Sequence, residues 1–198
     1  MNRLEESLRR IFGDLSDLRR SGALVGGLAV SVRTEPRFTR DVDVAVVVSD
    51  DADAERLIHD LQQHGYRALG LVEQAATSRL ATIRLEHPGG HETPTGELVD
   101  LLFASSGIEQ EIVAAAEPLE IFPGERLAVA TTGHLIALKI LSRDDERRPM
   151  DRADLLALLA VATEVDLATA RASLLLIEER GYARGKSLLT ELDRLTKR

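Results

Sequence analysis

Two aspartates separated by one valine, Asp41-Val42-Asp43, open an apolar run that continues through Val48. In a strand, successive side chains point to opposite faces. Asp41 and Asp43 therefore share one face, roughly 7 Å apart at Cα, while Val42 and Val44 point the other way into a core. Side-by-side carboxylates repel each other unless a cation lies between them. Oxygen-only ligands favour Mg²⁺ or Mn²⁺. Upstream, Gly26-Gly27 follows the short apolar stretch Ser21 to Val25, which reads as a strand. Glycines at such a step let backbone amides approach a phosphate at a helix N-terminus. One end of this segment suits a phosphate and the other a metal. Together they describe a metal–nucleotide site.

A second acid stands out. Glu97 to Phe103 reads as a strand that is apolar on both faces except at Asp100. A lone carboxylate in such a run is costly to bury unless it is paired or bound to metal. A third candidate feature is helical: Lys139 and Arg143 lie four apart in the segment that follows Thr131-Thr132, so they would share a face able to meet a triphosphate. Further on, Asp151 reads as the cap of a helix reaching to about Thr163, with Asp154 one turn in. Acids there are favoured by the helix dipole alone.

The elements that would position these residues follow from periodicity and punctuation. Leu4, Leu8, Ile11, Leu15 and Leu18 recur at helical spacing with charges between them. Ser49 and Asp50 are capping residues for a helix over Ala54 to His64, stopped by Gly65. Tyr66 to Val72 and Arg79 to Leu85 read as strands, the second alternating Leu80, Thr82, Arg84 against Ala81, Ile83, Leu85. His87 to Gly96 is a loop by composition; its histidines, His87 and His91, have no fixed spacing and are not assigned to zinc. His59 and His64 are read as surface residues. A short helix over Ile108 to Ala116 is followed by a hairpin around Pro123-Gly124. Helices are then expected over Gly133 to Ser142, Asp166 to Arg180 and Ala183 to Lys197.

The order Gly-Gly, short helix, Asp-x-Asp on the next strand resembles the nucleotidyltransferase superfold, which includes polymerase-β-like enzymes. The resemblance implies an α/β (α+β) fold, with a mixed sheet in a core over residues 1–130 and a C-terminal helical region over 131–198. It also implies a third carboxylate on a neighbouring strand, a position that Asp100 matches. Gly26, Gly27, Asp41, Asp43, the Lys139 helix and Asp151-Arg152-Ala153-Asp154-Leu155 together resemble the AbiEii/AbiGii-type nucleotidyltransferase toxins, grouped with the mycobacterial MenT proteins. In that family a lysine on a later helix contacts the nucleotide phosphates, which maps to Lys139. A following Asp-x-x-Asp-Leu segment supplies a further site carboxylate, which maps to Asp154. The chain departs from the family in having Met150 where Lys is common and Gly27 where Ser is common. The resemblance implies transfer of a nucleoside monophosphate from an NTP to an acceptor hydroxyl, the tRNA 3′ end in relatives, by the toxin of a toxin–antitoxin pair.

Composition bounds the alternatives. The 198 residues carry a net charge of −8, no cysteine, 44% hydrophobic and only 3% aromatic residues. Thiolate sites and disulfides are excluded, and the core must be built from Leu, Val, Ile and Ala. No run has the length of a membrane helix, so a cytoplasmic protein is expected. The acidic balance argues against broad nucleic-acid binding but leaves room for an RNA end. It suits a cationic acceptor such as an aminoglycoside equally well. A non-catalytic nucleotide-binding module is the rival from another class, and the three intact acids speak against it.

Overall fold

The computed structural model describes residues 3–36, 39, 41–74, 78–87, 98–144 and 149–197. Its elements run α1 (Arg3–Asp17), β1 (Gly22–Val25), α2 (Gly26–Arg33), β2 (Val42–Val46), α3 (Asp51–Gln63), β3 (Arg67–Gln74), β4 (Arg79–Glu86) and β5 (Leu98–Leu102). Then come α4 (Glu109–Ala114), β6 (Glu117–Phe122), β7 (Glu125–Val129), α5 (Thr132–Ser142), α6 (Pro149–Val161), α7 (Glu164–Glu179) and α8 (Leu188–Thr196). The strands form one seven-stranded mixed sheet in the order β3-β4-β5-β2-β1-β7-β6. Pairs β2/β5 and β1/β7 are parallel, the other neighbours antiparallel. The mixed sheet expected from the sequence is therefore present. Among the described residues no helix is long and apolar enough to cross a membrane.

The two faces of β2 divide the labour. Val42, Val44 and Val46 are fully buried, each worth roughly 1.5–3 kcal/mol of apolar burial. Helix α1 lays Leu8, Ile11 and Leu15 into the same core and packs on β2, while α3 packs on β3 and β4. The opposite face of β2 carries Asp43 into a cleft that Lys139 of α5 and Asp151 of α6 also line. Register extends this row across five strands. Val25 pairs with Asp43, Asp43 with Asp100, Asp100 with Arg84, and Arg84 with Gly70. Strands β2, β5 and β4 thus deliver two acids and a base side by side.

Helix boundaries differ from expectation in three informative places. Helix α3 begins at Asp51, because the Asp50 side chain accepts from the Asp53 amide at 2.7 Å. Helix α6 begins at Pro149, whose fixed φ and missing N–H suit a first helical position. Asp151 is consequently inside the helix and does not cap it. Helix α8 begins at Leu188 rather than Ala183, since Arg184 and Gly185 both adopt left-handed backbone, at φ 55° and 72°. Of the 87–96 loop only His87 is described; His91, like Glu97, lies outside the described residues.

The C-terminal helices dock closely. Helix α5 packs on α7 and α6. At Gly133 a Cβ would stand 2.5 Å from the Asp166 carbonyl oxygen and 2.7 Å from Thr169 Cβ, so only glycine permits the α5–α7 approach.

Candidate active site

The site begins where β1 ends. At Gly26 the chain turns with φ +66°, and the register sets this turn beside Asp43. A Cβ on Gly26 would lie 1.9 Å from Asp43 Oδ2. Glycine is therefore required twice, for the left-handed backbone and for the approach of the carboxylate. The N-cap Val25 has no side-chain hydrogen bond to the first turn of α2, so no cap competes for its leading amides. The far end of α2 is fastened by Arg33, which donates to the Ala130 carbonyl at 3.0 Å and to Glu117 at 2.6 Å. Gly26→Ala is expected to destabilise the fold by about 2 kcal/mol or more, from the backbone penalty plus the clash. The displaced Asp43 should lower turnover on the order of 100-fold. Thermal denaturation and steady-state transfer kinetics of the variant check both.

Asp41 sits immediately before β2 and Asp43 within it, both half-buried. Burial pushes the Asp43 carboxyl up to about 7; the charges of Asp100 and Asp41 push in the same direction, and Lys139 and Arg84 oppose them. The three acids singled out in the sequence therefore lie within one another's field. Asp100 is gripped by Arg84, whose Nε donates to Oδ1 at 2.8 Å and whose Nη2 donates to Oδ2 at 2.6 Å. Among the described residues no group of three His, Asp or Glu side chains is gathered at ligand spacing. Both oxygens of Asp100 face Arg84. The donor chemistry nonetheless fits a hard cation, because every candidate donor is a carboxylate oxygen.

Lys139 closes the other side. It is 8% exposed, and its Nζ stands 2.7 Å from both Asp151 Oδ1 and Asp154 Oδ2. Asp151 also accepts from Ser142 Oγ at 3.0 Å. Asp154 is 2% exposed. Asp151 lies in the first turn of α6, where the dipole favours it, but both acids also fix the ammonium of Lys139 and through it fix α6 to α5. Arg143 does not join Lys139. Helix α5 stops at Ser142, Arg143 leaves it with ψ 124°, and its guanidinium pairs with Glu191 of α8. Spacing by four aligned two residues on a helix that ends between them.

Gly26, Asp43, Arg84 and Lys139 line a single cleft of about 640 Å³, which also takes in Gln74 and Arg184. Arg184 arrives from the turn before α8 and donates to the Ser105 carbonyl at 3.0 Å. Sequence reasoning assigned no role to Arg84, Gln74 or Arg184. The alternation of β4 put Thr82 and Arg84 on one face, but only the β4–β5 register reveals that this face is the one carrying Asp100.

The fold is that of nucleotidyltransferases of known structure. The lincomycin-bound lincosamide antibiotic adenylyltransferase LnuA matches with a TM-score of 0.51 at 15% identity, covering 80% of this chain and 98% of its own. The antibiotic-resistance factor ANT(2'')-Ia matches at 0.54 and 16%, covering 88% of this chain and 91% of its own. An antigenic nucleotidyltransferase-like protein from Paracoccidioides brasiliensis matches at 0.50 and 18%, covering 92% and 87%. No curated protein sequence matches the chain. The nucleotidyl transferase AbiEii toxin family of type IV toxin–antitoxin systems matches residues 9–198, and the chain belongs to it.

Proposed function

We propose that the protein transfers a nucleoside monophosphate from an NTP to an acceptor hydroxyl at the tRNA 3′ end, with Asp41, Asp43, Asp100, Lys139 and Asp154 as its working side chains. The carrying observation is the row Asp43, Asp100, Arg84, with Gly26 beside Asp43, facing Lys139 across one cleft. The leading amides of α2 at Gly26 and Gly27 receive phosphate oxygens, and Lys139 neutralises their charge. Asp41 and Asp43, joined by Asp100, would hold Mg²⁺ or Mn²⁺, which supplies charge neutralisation at the triphosphate when bound. Asp154 and Asp151 keep the Lys139 ammonium aimed into the cleft. Asp100 accepts the proton of the attacking hydroxyl once Arg84 turns to a substrate phosphate. The oxygen–phosphorus bond to the acceptor forms as the bond to pyrophosphate breaks, and pyrophosphate leaves.

Membership of a type IV toxin family implies an antitoxin that counters this activity, and cytoplasmic substrates for it. A second acceptor class is favoured by one observation, the net charge of −8. It suits a small cationic acceptor such as an aminoglycoside, and the fold neighbours include an antibiotic adenylyltransferase and an antibiotic-resistance factor.

Purified protein incubated with Mg²⁺, each α-labelled NTP in turn and total tRNA, beside an aminoglycoside panel, separates the two. Label on tRNA, absent with Asp41→Ala, is the expected result. Label carried by the drugs alone supports the second reading. Transfer that survives Asp41→Ala overturns the role given to the aspartate pair.

A further inference from the structure

The cleft continues past Arg84 to β3, a region to which the chemistry above gives no work. Two residues along from the acid row, a second row runs on the same face: Ala45 pairs with Leu102, Leu102 with Thr82, and Thr82 with Val72. Beyond it the β3–β4 pairing slips between Val72 and Glu73, and Gln74 follows. Val72 is 59% exposed, whereas Gln74 is 9% exposed. Both line the cleft. Among the described residues the Gln74 side-chain amide has no hydrogen-bond partner. Its polar atoms are not sealed from water; they meet the open cleft, where a donor and an acceptor remain available to a ligand.

We propose that Gln74 is a specificity-determining residue that reads the terminal nucleobase of a nucleic-acid acceptor, with Val72 as the apolar shelf on which the ring lies. The proposal rests on the nucleotidyl-transfer reading above. A carboxamide offers a donor and an acceptor in one plane, the pattern that matches the edge of a base. Position decides which base is read. Across the sheet the order is Gly26 at the end of β1, Asp43 on β2, Asp100 on β5, Arg84 on β4, then β3. If the triphosphate occupies the glycine end and the acceptor hydroxyl meets Asp100, the acceptor extends toward β3. Arg84 stands between hydroxyl and base, where the phosphate of that terminal nucleotide would pass. A polycationic acceptor would need several acids at this end. Of Val72, Glu73, Gln74, Thr82 and Arg84, only Glu73 is one.

The test uses the full chain, Mg²⁺, its preferred NTP and four short RNAs that differ only in a 3′-terminal A, C, G or U. Gln74→Met keeps the length and packing of the side chain without its hydrogen bonds; Gln74→Glu keeps an acceptor and loses the donor. Wild type is expected to prefer one terminal base by about tenfold or more in kcat/KM. Gln74→Met should compress that preference to within about threefold and leave the KM for NTP unchanged. Gln74→Glu should move preference toward bases that present a donor. Matching melting curves for the variants would exclude misfolding as the cause. A wild type indifferent to the terminal base, or a Gln74→Met that keeps the preference or changes the NTP selected, overturns the proposal while leaving nucleotidyl transfer intact. Transfer to aminoglycosides and to none of the RNAs also overturns it. Transfer to no acceptor at all removes the parent reading, and this one with it.

Discussion

Asp43→Asn is expected to reduce nucleotidyl transfer on the order of 10³-fold and, at neutral pH without divalent cation, to raise the melting temperature. The two effects have one cause. Asp43 lies in β2 between Asp41 and Asp100, and burial together with those charges lifts its carboxyl from an ordinary 3.8 to about 7. A group arranged against its own ionisation is poised for a cation. Removing the charge removes the repulsion, which should stabilise the unliganded protein by about 1–4 kcal/mol, several degrees for a chain of this size. Removing the carboxylate also removes the ligand, which accounts for the loss of rate.

The pH dependence follows with a definite sign. Between about pH 4 and pH 7 the folded protein holds a proton on Asp43 that the unfolded chain has released. Stability from this group is thus greatest below about pH 4 and declines as pH rises through about 7. A divalent cation competes for the same oxygens, so its affinity should rise over that interval and offset the decline. Melting temperature against pH, with and without Mg²⁺, measures both trends in wild type and Asp43→Asn. The variant should lack the slope attributable to this carboxyl and gain little from Mg²⁺. A lower melting temperature for the variant at neutral pH would contradict this electrostatic account.

That prediction starts from a feature legible in the chain itself. The period-two placement of Asp41 and Asp43 against Val42 and Val44, and the Gly-Gly step before them, required no tertiary information. Gly26 adds something the sequence could only suggest: its missing Cβ makes room for the Asp43 carboxylate, a contact between the start of α2 and β2. Other parts of the site depend on register or on where a helix ends. Arg84 and Asp100 are sixteen residues apart, and nothing short of the antiparallel β4–β5 pairing joins them. Lys139 and Arg143 look like partners because they lie four apart, although the helix expected over Gly133 to Ser142 already ends before Arg143. It stops at Ser142, and Arg143 goes to Glu191. Asp151 and Asp154 had a sufficient local explanation in the helix dipole, which concealed a tertiary one. Local rules describe elements well, whereas the polar partners in this cleft come from separate elements.

Lys139→Met is expected to lose both activity and stability, in contrast to Asp43→Asn. In the native protein one ammonium stands 2.7 Å from two carboxylates, and all three residues are buried. Deleting the cation removes the ammonium that Asp151 and Asp154 share and leaves two carboxylates facing each other across one turn of α6. Breaking a buried pair in this way costs about 3–5 kcal/mol, so the melting temperature should fall by roughly 10 °C. Adding Asp154→Asn to Lys139→Met removes one of the two facing charges and should recover part of the loss, because the two changes act on the same contact. Transfer should not recover, since no charge is restored to the triphosphate. Differential scanning calorimetry of the single and double variants, read beside NTP binding, separates the two roles. If the single variant melts like wild type, the lysine does not hold α6 to α5. If the double variant regains transfer with its stability, the lysine serves the fold and not the phosphate. The expected pattern, stability partly restored and transfer still absent, assigns Lys139 to both.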